Sequence, residues 1–203
     1  MRALFITTEG IDGCGKSTLA ESLYQRLKKG GVKCALTAEP TDSWLGKAVK
    51  RSYTEELGPI VEAHLFMADR AVHTVEIRKM LKSGKCVVSD RYIDSTLAYQ
   101  GAALANQFDG GLKEAVSWLM DASAMSSISP DITFYLRIKP ELAMKRLSSR
   151  GASRTRFERL GFLKDVGEAY ELLSKASRFV TLDATRGKKE LVDEASKRVL
   201  KLL

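Results

Sequence analysis

Residues Gly10-Ile11-Asp12-Gly13-Cys14-Gly15-Lys16-Ser17 fit the spacing G-x-x-x-x-G-K-[ST] at every fixed position, and nothing else in the chain restricts its fold as much. An apolar run, Ala3–Thr8, precedes the loop. A helix-period stretch, Ser17–Lys29, follows it, with Leu19, Leu23 and Leu27 on one face and Gly30-Gly31 as a stop. The glycines let the backbone curl so that successive N–H groups point at phosphate oxygens. The helix behind adds the positive end of its dipole. The pattern therefore predicts a strand, a phosphate cradle and a helix that together bind a nucleoside triphosphate. Lys16 would reach the terminal phosphates, and Ser17 would ligate Mg²⁺. Cys14, near a helix N-terminus, is expected to carry a lowered thiol pKa and to react with bulky thiol reagents.

Short apolar runs alternate with helical stretches along the rest of the chain. Strands are expected at Lys33–Ala38, Lys85–Ser89, Ile132–Ile138 and Phe179–Leu182. Helices are expected at Pro59–Lys82, Asp94–Ala105, Leu112–Ala124, Pro140 to about Arg150, Arg159–Lys175 and Lys188–Leu202. Five short strands separated by helices imply a three-layer α/β/α fold with a five-stranded parallel sheet. The 203 residues are read as one domain, with a short Arg-rich lid near 150–157. Asp90, at the end of an apolar run, is the second candidate Mg²⁺ ligand. The long helix at 59–83 carries two apolar stripes, one through Val61, Leu65, Ala68, Val72 and Val75. A surface helix needs one stripe. Either the helix is central or its second face meets another subunit; a homodimer through this helix is the expectation.

Thirty-three Lys and Arg against twenty-five Asp and Glu give a net charge of +8, which points to an anionic partner. No apolar run exceeds four residues, so no membrane-spanning helix is expected. The N-terminus lacks the pattern of an export signal, and three scattered cysteines form no metal-spaced pair; both suit a cytoplasmic protein. There is no basic module interleaved with aromatics, so nucleic acid is not an expected partner.

The chain resembles the thymidylate kinases in several segments that run in order. They are Phe5 to Asp12 with its E-G-x-D entry to the loop, Glu39-Pro40, the helix Leu65 to His73 (L-F-x-A-D-R-x-x-H), Asp90-Arg91-Tyr92, Ser95 to Gly101 (S-x-x-A-Y-Q-G) and Leu182-Asp183-Ala184. The resemblance implies a nucleoside monophosphate kinase fold that transfers a phosphoryl group from ATP to dTMP with Mg²⁺. It implies that Gly10, Ile11, Asp12, Gly13, Cys14, Gly15, Lys16, Ser17 and Asp183 contact ATP. It also implies that Phe66 stacks on thymine, Arg70 and Gln100 read the pyrimidine edge, Arg91 binds the acceptor phosphate and Asp12 accepts from the sugar 3′-hydroxyl. It implies further that Tyr99 packs against the sugar, with Glu39, Ser95 and Thr96 completing the acceptor site.

The segments also depart from the family pattern. Ala38 stands where an Arg commonly precedes Glu-Pro, and Gly13 stands where some members carry an Arg in the loop. For the loop position the expected replacement is the cluster Arg150, Arg154 and Arg156, with Arg150 and Arg154 as catalytic candidates beside Lys16 and Arg91; for Ala38 the candidates are Lys47, Lys50 and Arg51. The alternatives are another nucleoside monophosphate kinase, or a deoxynucleoside kinase in which Glu9 or Glu39 serves as base. A GTPase or a nucleic-acid-stimulated ATPase is a more distant alternative. The guanine motif N-K-x-D is missing, since Asn106-Gln107-Phe108-Asp109 lacks the Lys.

Overall fold

The computed structural model describes residues 2–149 and 159–203. The expected lid, with Arg150, Arg154 and Arg156, lies outside the described residues. The elements are β1 (Phe5–Glu9), α1 (Lys16–Lys29), β2 (Cys34–Ala38), α2 (Trp44–Glu55), α3 (Pro59–Lys82), β3 (Cys86–Asp90) and α4 (Ile93–Leu104), which runs into a short 3₁₀ turn. They continue as α5 (Gly111–Ser123), β4 (Ile132–Arg137), α6 (Pro140–Ser148), α7 (Leu160–Leu173), β5 (Phe179–Asp183) and α8 (Lys188–Leu200). The five strands form one parallel sheet in the order β2-β3-β1-β4-β5, as the α/β reading requires. β1 sits in the centre between β3 and β4, so the loop after it opens at the C-terminal edge of the sheet, where α/β folds bind ligands.

Alternate residues of the strands feed two cores, as a period of two dictates. Leu4, Ile6 and Val88 pack with Leu19, Leu23 and Leu27 of α1 and with Val192, Ala195 and Val199 of α8. Phe5 and Val87 point to the other face and meet Ile77 of α3, Leu97 and Leu104 of α4 and Leu119 of α5. Burying each such side chain stabilises by ~1.5–3 kcal/mol. The positions on either side of the loop are thus fixed by fully buried neighbours.

The sequence reading places no element between Ala38 and Pro59, yet α2 fills that gap. Ser43 caps it, its Oγ accepting from Gly46 N at 3.1 Å. Gly46 is needed because a Cβ there would lie 1.9 Å from the carbonyl oxygen of Thr41. In α3, Gly58 and Pro59 start the helix where the sequence places the start. Its orientation is unusual. Val61, Val72 and Val75 are exposed, while the inward face carries Glu62, Asp69, Arg70, His73 and Thr74. No helix among the described residues is long and apolar enough to cross a membrane.

Candidate active site

Two cavities meet at the glycine loop. One of about 330 Å³ is lined by Lys16, Phe66, Arg70, Arg91, Tyr99 and Gln100, among others. The other, of about 260 Å³, is lined by Leu19, Leu136, Arg146, Ala184, Leu191 and Val192, among others. Gly13, Gly15 and Thr18 line both. Gly13 has φ +84°, and a Cβ there would approach the Ala143 carbonyl oxygen to 2.5 Å. The close passage of α6 therefore leaves no room for a side chain at this point of the loop. Any further positive charge has to reach the phosphates from another segment.

The charged centre is built around Asp12. Its Oδ1 accepts from Lys16 Nζ at 2.9 Å and also from Arg91 Nη2. Burial alone would raise the Asp12 pKa, but Lys16 and Arg91 outweigh it and hold the carboxyl well below its usual range. Burial likewise works against a charged Arg91, yet Asp12 and its neighbours keep this guanidinium firmly protonated. Arg91 has φ +71°, a left-handed conformation that costs a non-glycine residue ~1–2 kcal/mol. Arg91 N donates to Thr8 O at 3.1 Å and Arg91 O accepts from Ser89 Oγ at 2.6 Å, which holds the strained turn after β3.

Beneath Arg91 lies a buried polar network. Arg91 Nη1 donates to Ser95 Oγ at 3.1 Å, and Ser95 Oγ donates to Glu9 Oε2 at 2.6 Å. Glu9 also accepts from Tyr92 N at 2.7 Å and Tyr170 OH at 2.8 Å. Burial, and then the neighbouring Asp94, push the Glu9 carboxyl up to about 7. Sealed in this way, Glu9 is not placed to act as a base on a ligand.

The far wall of the first cavity holds aromatic and polar groups side by side. Phe66 of α3 lies 6.4 Å from Tyr53 of α2, centroid to centroid, and both line the cavity. Arg70 is fully buried. It donates Nε and Nη2 to Glu39 Oε2 at 3.0 and 2.7 Å, and Nη2 also to Thr96 Oγ1 at 2.7 Å. Its Nη1 has no hydrogen-bond partner among the described residues, and neither does Gln100 Oε1. The guanidinium of Arg91 lies over the Tyr99 ring, 5.0 Å from its centroid.

Most of the residues expected at the acceptor site therefore come together, though two act at one remove. Glu39 lines the cavity, but its carboxylate is taken by Arg70 and by His73, whose Nδ1 lies 2.9 Å from Oε1. Thr96 is buried behind Arg70 and is not among the lining residues. Asp183, expected to contact ATP, does not line the second cavity; its carboxylate turns to Thr185, accepting from N at 2.9 Å and Oγ1 at 2.7 Å. Its neighbour Ala184 forms the wall instead. Cys14 needs a correction. It is 2 % exposed, and burial raises its thiol pKa, which overrides the helix N-terminus. A reactive thiol is not what the loop offers.

Tyr53 and Arg146 are among the lining residues that the sequence reading does not single out. Tyr53 sits on the helix the sequence reading missed. The spacing Leu45, Val49, Ser52 after the capping Ser43 is the signal that was there to find. Arg146 spans the second cavity, donating to Ala184 O at 3.0 Å and Cys14 O at 3.4 Å. A flat guanidinium sharing a cavity with Leu19, Leu136 and Val192 suits a flat heteroaromatic ring. Ser17 and Asp90 line one further groove, and Asp90 Oδ1 is buried without a hydrogen-bond partner among the described residues. An unpaired carboxylate oxygen near a hydroxyl fits a hard divalent cation.

Comparison with known proteins gives one family. The profile of the family described as thymidylate kinase matches residues 8–195. A probable thymidylate kinase of Methanosarcina mazei is 38 % identical over 207 aligned residues, covering 100 % of this chain and 98 % of that protein. A thymidylate kinase of Halothermothrix orenii is 39 % identical, covering 98 % and 97 %. A probable thymidylate kinase of Methanoculleus marisnigri is 42 % identical, covering 93 % and 90 %.

Proposed function

The chain belongs to the thymidylate kinase family, an ATP-dependent transferase that phosphorylates dTMP, and we propose that its two cavities divide the substrates between them. The cavity of Phe66 and Arg70 takes dTMP, and the one under Arg146 takes the adenosine of ATP. The observation that carries this is the pair of unpartnered buried atoms, Arg70 Nη1 and Gln100 Oε1. Thymine offers an acceptor at O4 and a donor at N3, the complement of a donor beside an acceptor. Cytosine inverts that edge. Phe66 and Tyr53 supply the apolar walls for the ring.

The reaction needs little from a general base. A phosphate monoester oxygen is already anionic near neutrality, so catalysis is alignment and neutralisation of charge on the transferring group. Glu9 and Glu39 are both engaged elsewhere, which argues against a nucleoside acceptor. Lys16 meets the ATP phosphates and Arg91 the acceptor phosphate, with Asp12 between the two cations. Ser17 and Asp90 would hold Mg²⁺, which supplies charge neutralisation at the ATP phosphates when bound. The further positive charge that Gly13 cannot carry is assigned to Arg150 and Arg154. Wild-type turnover in the double Arg variant would refute that role.

The whole chain is read as one kinase domain of the cytoplasm, with nucleotides and not nucleic acid as its anionic partners. The exposed face of α3 at Val61, Val72 and Val75 fits a second copy of the chain, because an apolar stripe turned outward is stabilised by covering it. Light scattering of the wild type and of Val72→Glu tests the dimer. The substrate reading is tested by following ADP release from ATP-Mg²⁺ with dTMP, dUMP, UMP, dCMP, dGMP and dAMP. A purine monophosphate preferred tenfold over dTMP would overturn the assignment of the cavity.

A further inference from the structure

His73 lies one turn along α3 from Arg70 and does not line either cavity described above. It is 6 % exposed and uses both ring nitrogens: Nδ1 lies 2.9 Å from Glu39 Oε1 and Nε2 lies 2.7 Å from Thr37 Oγ1 of β2. Glu39 in turn holds Arg70 through its other oxygen, Oε2, by two bonds. A carboxylate rotates readily about its last side-chain bond, where the torsion is broad. Contact at Oε2 alone would leave that plane free to turn and the guanidinium free to follow. A second contact at Oε1 fixes the plane, and the Thr37 hydroxyl anchors the ring that makes it. The chain Thr37–His73–Glu39–Arg70 thus runs from the edge of the sheet to the buried Arg70 Nη1, which has no hydrogen-bond partner among the described residues.

We infer that His73 is a positioning residue: acting through Glu39, it sets the direction in which Arg70 presents Nη1 and thereby governs discrimination between thymine and cytosine. The inference rests on the reading of the first cavity as the dTMP site. Its consequence is confined to the base. A misdirected Nη1 loses its bond to the thymine O4 and becomes less hostile to the amine of cytosine. The reacting phosphate, bound at Arg91, is untouched. Binding energy lost far from the reacting atoms raises KM and leaves kcat nearly unchanged.

The test compares His73→Asn with His73→Gln, measuring kcat and KM for dTMP and for dCMP with ATP-Mg²⁺. The Asn amide nitrogen falls near the position of Nδ1 and can still donate to Glu39. The Gln amide reaches instead toward Thr37. His73→Asn is expected to keep the ratio of the dTMP and dCMP specificity constants within ~3-fold of wild type. His73→Gln is expected to lower it by ~10-fold or more, through KM for dTMP, the scale of one lost hydrogen bond to a charged group. A wild-type ratio in His73→Gln, or equal losses in both variants that follow only their melting temperatures, overturns the inference. If His73→Gln does not fold, Thr37→Val removes the anchor of the ring while leaving its contact with Glu39. That variant is expected to lower the ratio by ~3-fold, and an unchanged ratio overturns the inference. Arg70→Met separates the two levels. If it leaves the ratio unchanged, the assignment of the cavity fails; if it collapses the ratio while His73→Gln does not, only the role of His73 fails.

Discussion

Lys16 and Arg91 converge on a single oxygen, Oδ1 of Asp12. One is the first residue of α1 and the other follows β3, so Asp12 ties together the two sides of the proposed phosphate site. Two cations held this close repel each other, and the carboxylate between them makes the arrangement stable. In the proposed site, substrate phosphates would bring their own negative charge and compete for both.

Replacing Lys16 with Ala should therefore separate folding from catalysis. Arg91 keeps its bond to Asp12, and the loop keeps its glycines, so the melting temperature is expected to change by only a few degrees. Turnover should fall by ~10²-fold or more, the scale of removing one donor that meets charge developing in the transition state. A folded variant with near-normal kcat would show that the loop is not the phosphoryl-donor site.

The loop and the long helix were legible because their signals are local. G-x-x-x-x-G-K-S needs no partner to be recognised, and Gly58-Pro59 marks a helix start by backbone geometry alone. α2 was missed because its local signals are weak. It opens with Trp44, 76 % exposed, and ends at Glu56 in a left-handed turn with no glycine to announce it. Which stripe of α3 faces out was not legible either. The inward face is chosen by Arg70, Asp69 and His73, whose partners on the β2–α2 segment and α4 are distant in sequence. The same holds for Asp183, spent on its own turn, and for Cys14, where burial outweighs the helix terminus. Local sequence reports which residue types are present. Long-range contacts decide which of them touch a ligand and which hold another side chain in place.

Tyr53 should matter as much as its better-signalled neighbour. Its ring stands 6.4 Å from Phe66 at 38°, so the two form adjoining walls for a flat base. Tyr53→Ala is expected to raise KM for dTMP by ~5–10-fold, the loss of one aromatic contact, with kcat within about two-fold of wild type. An unchanged KM would mean that α2 only borders the cavity.

Glu9 makes stability depend on pH with a definite sign. Its carboxyl titrates near 4.5 when unperturbed and at about 7 in the fold. Between those values the native protein holds a proton that the unfolded chain has released. The stabilising contribution of the neutral acid is full below about 4.5 and lost as pH rises through about 7. The change amounts to about 3 kcal/mol, at ~1.4 kcal/mol for each tenfold change in proton affinity. Glu9→Gln removes this titration. Urea unfolding at about pH 5 and about pH 8 should show the wild type losing more stability than the variant, by ~2–3 kcal/mol. Equal losses would place the Glu9 titration outside this range.

We propose that discrimination against ribose rests on Tyr99, and here the packing makes the prediction sharper than the sequence does. The ring is 6 % exposed, with the Arg91 guanidinium 5.0 Å above it and the Phe162 ring 6.2 Å away at 61°. Pinned on both sides, it cannot swing aside for a larger sugar. A 2′-hydroxyl pressed against it would lose water without gaining a partner, a cost of ~1–3 kcal/mol. UMP should therefore have a specificity constant ~10-fold or more below that of dUMP. Losing the 5-methyl group costs only the burial of one carbon, ~1 kcal/mol, so dUMP should trail dTMP by less. The wall is the ring and not its hydroxyl. Tyr99→Phe should keep the preference for deoxyribose, whereas Tyr99→Ala should bring UMP to within ~3-fold of dUMP by opening room for the hydroxyl and its water. Equal specificity constants for UMP and dUMP in the wild type would remove Tyr99 from this role and leave the base contacts of Arg70 and Gln100 standing.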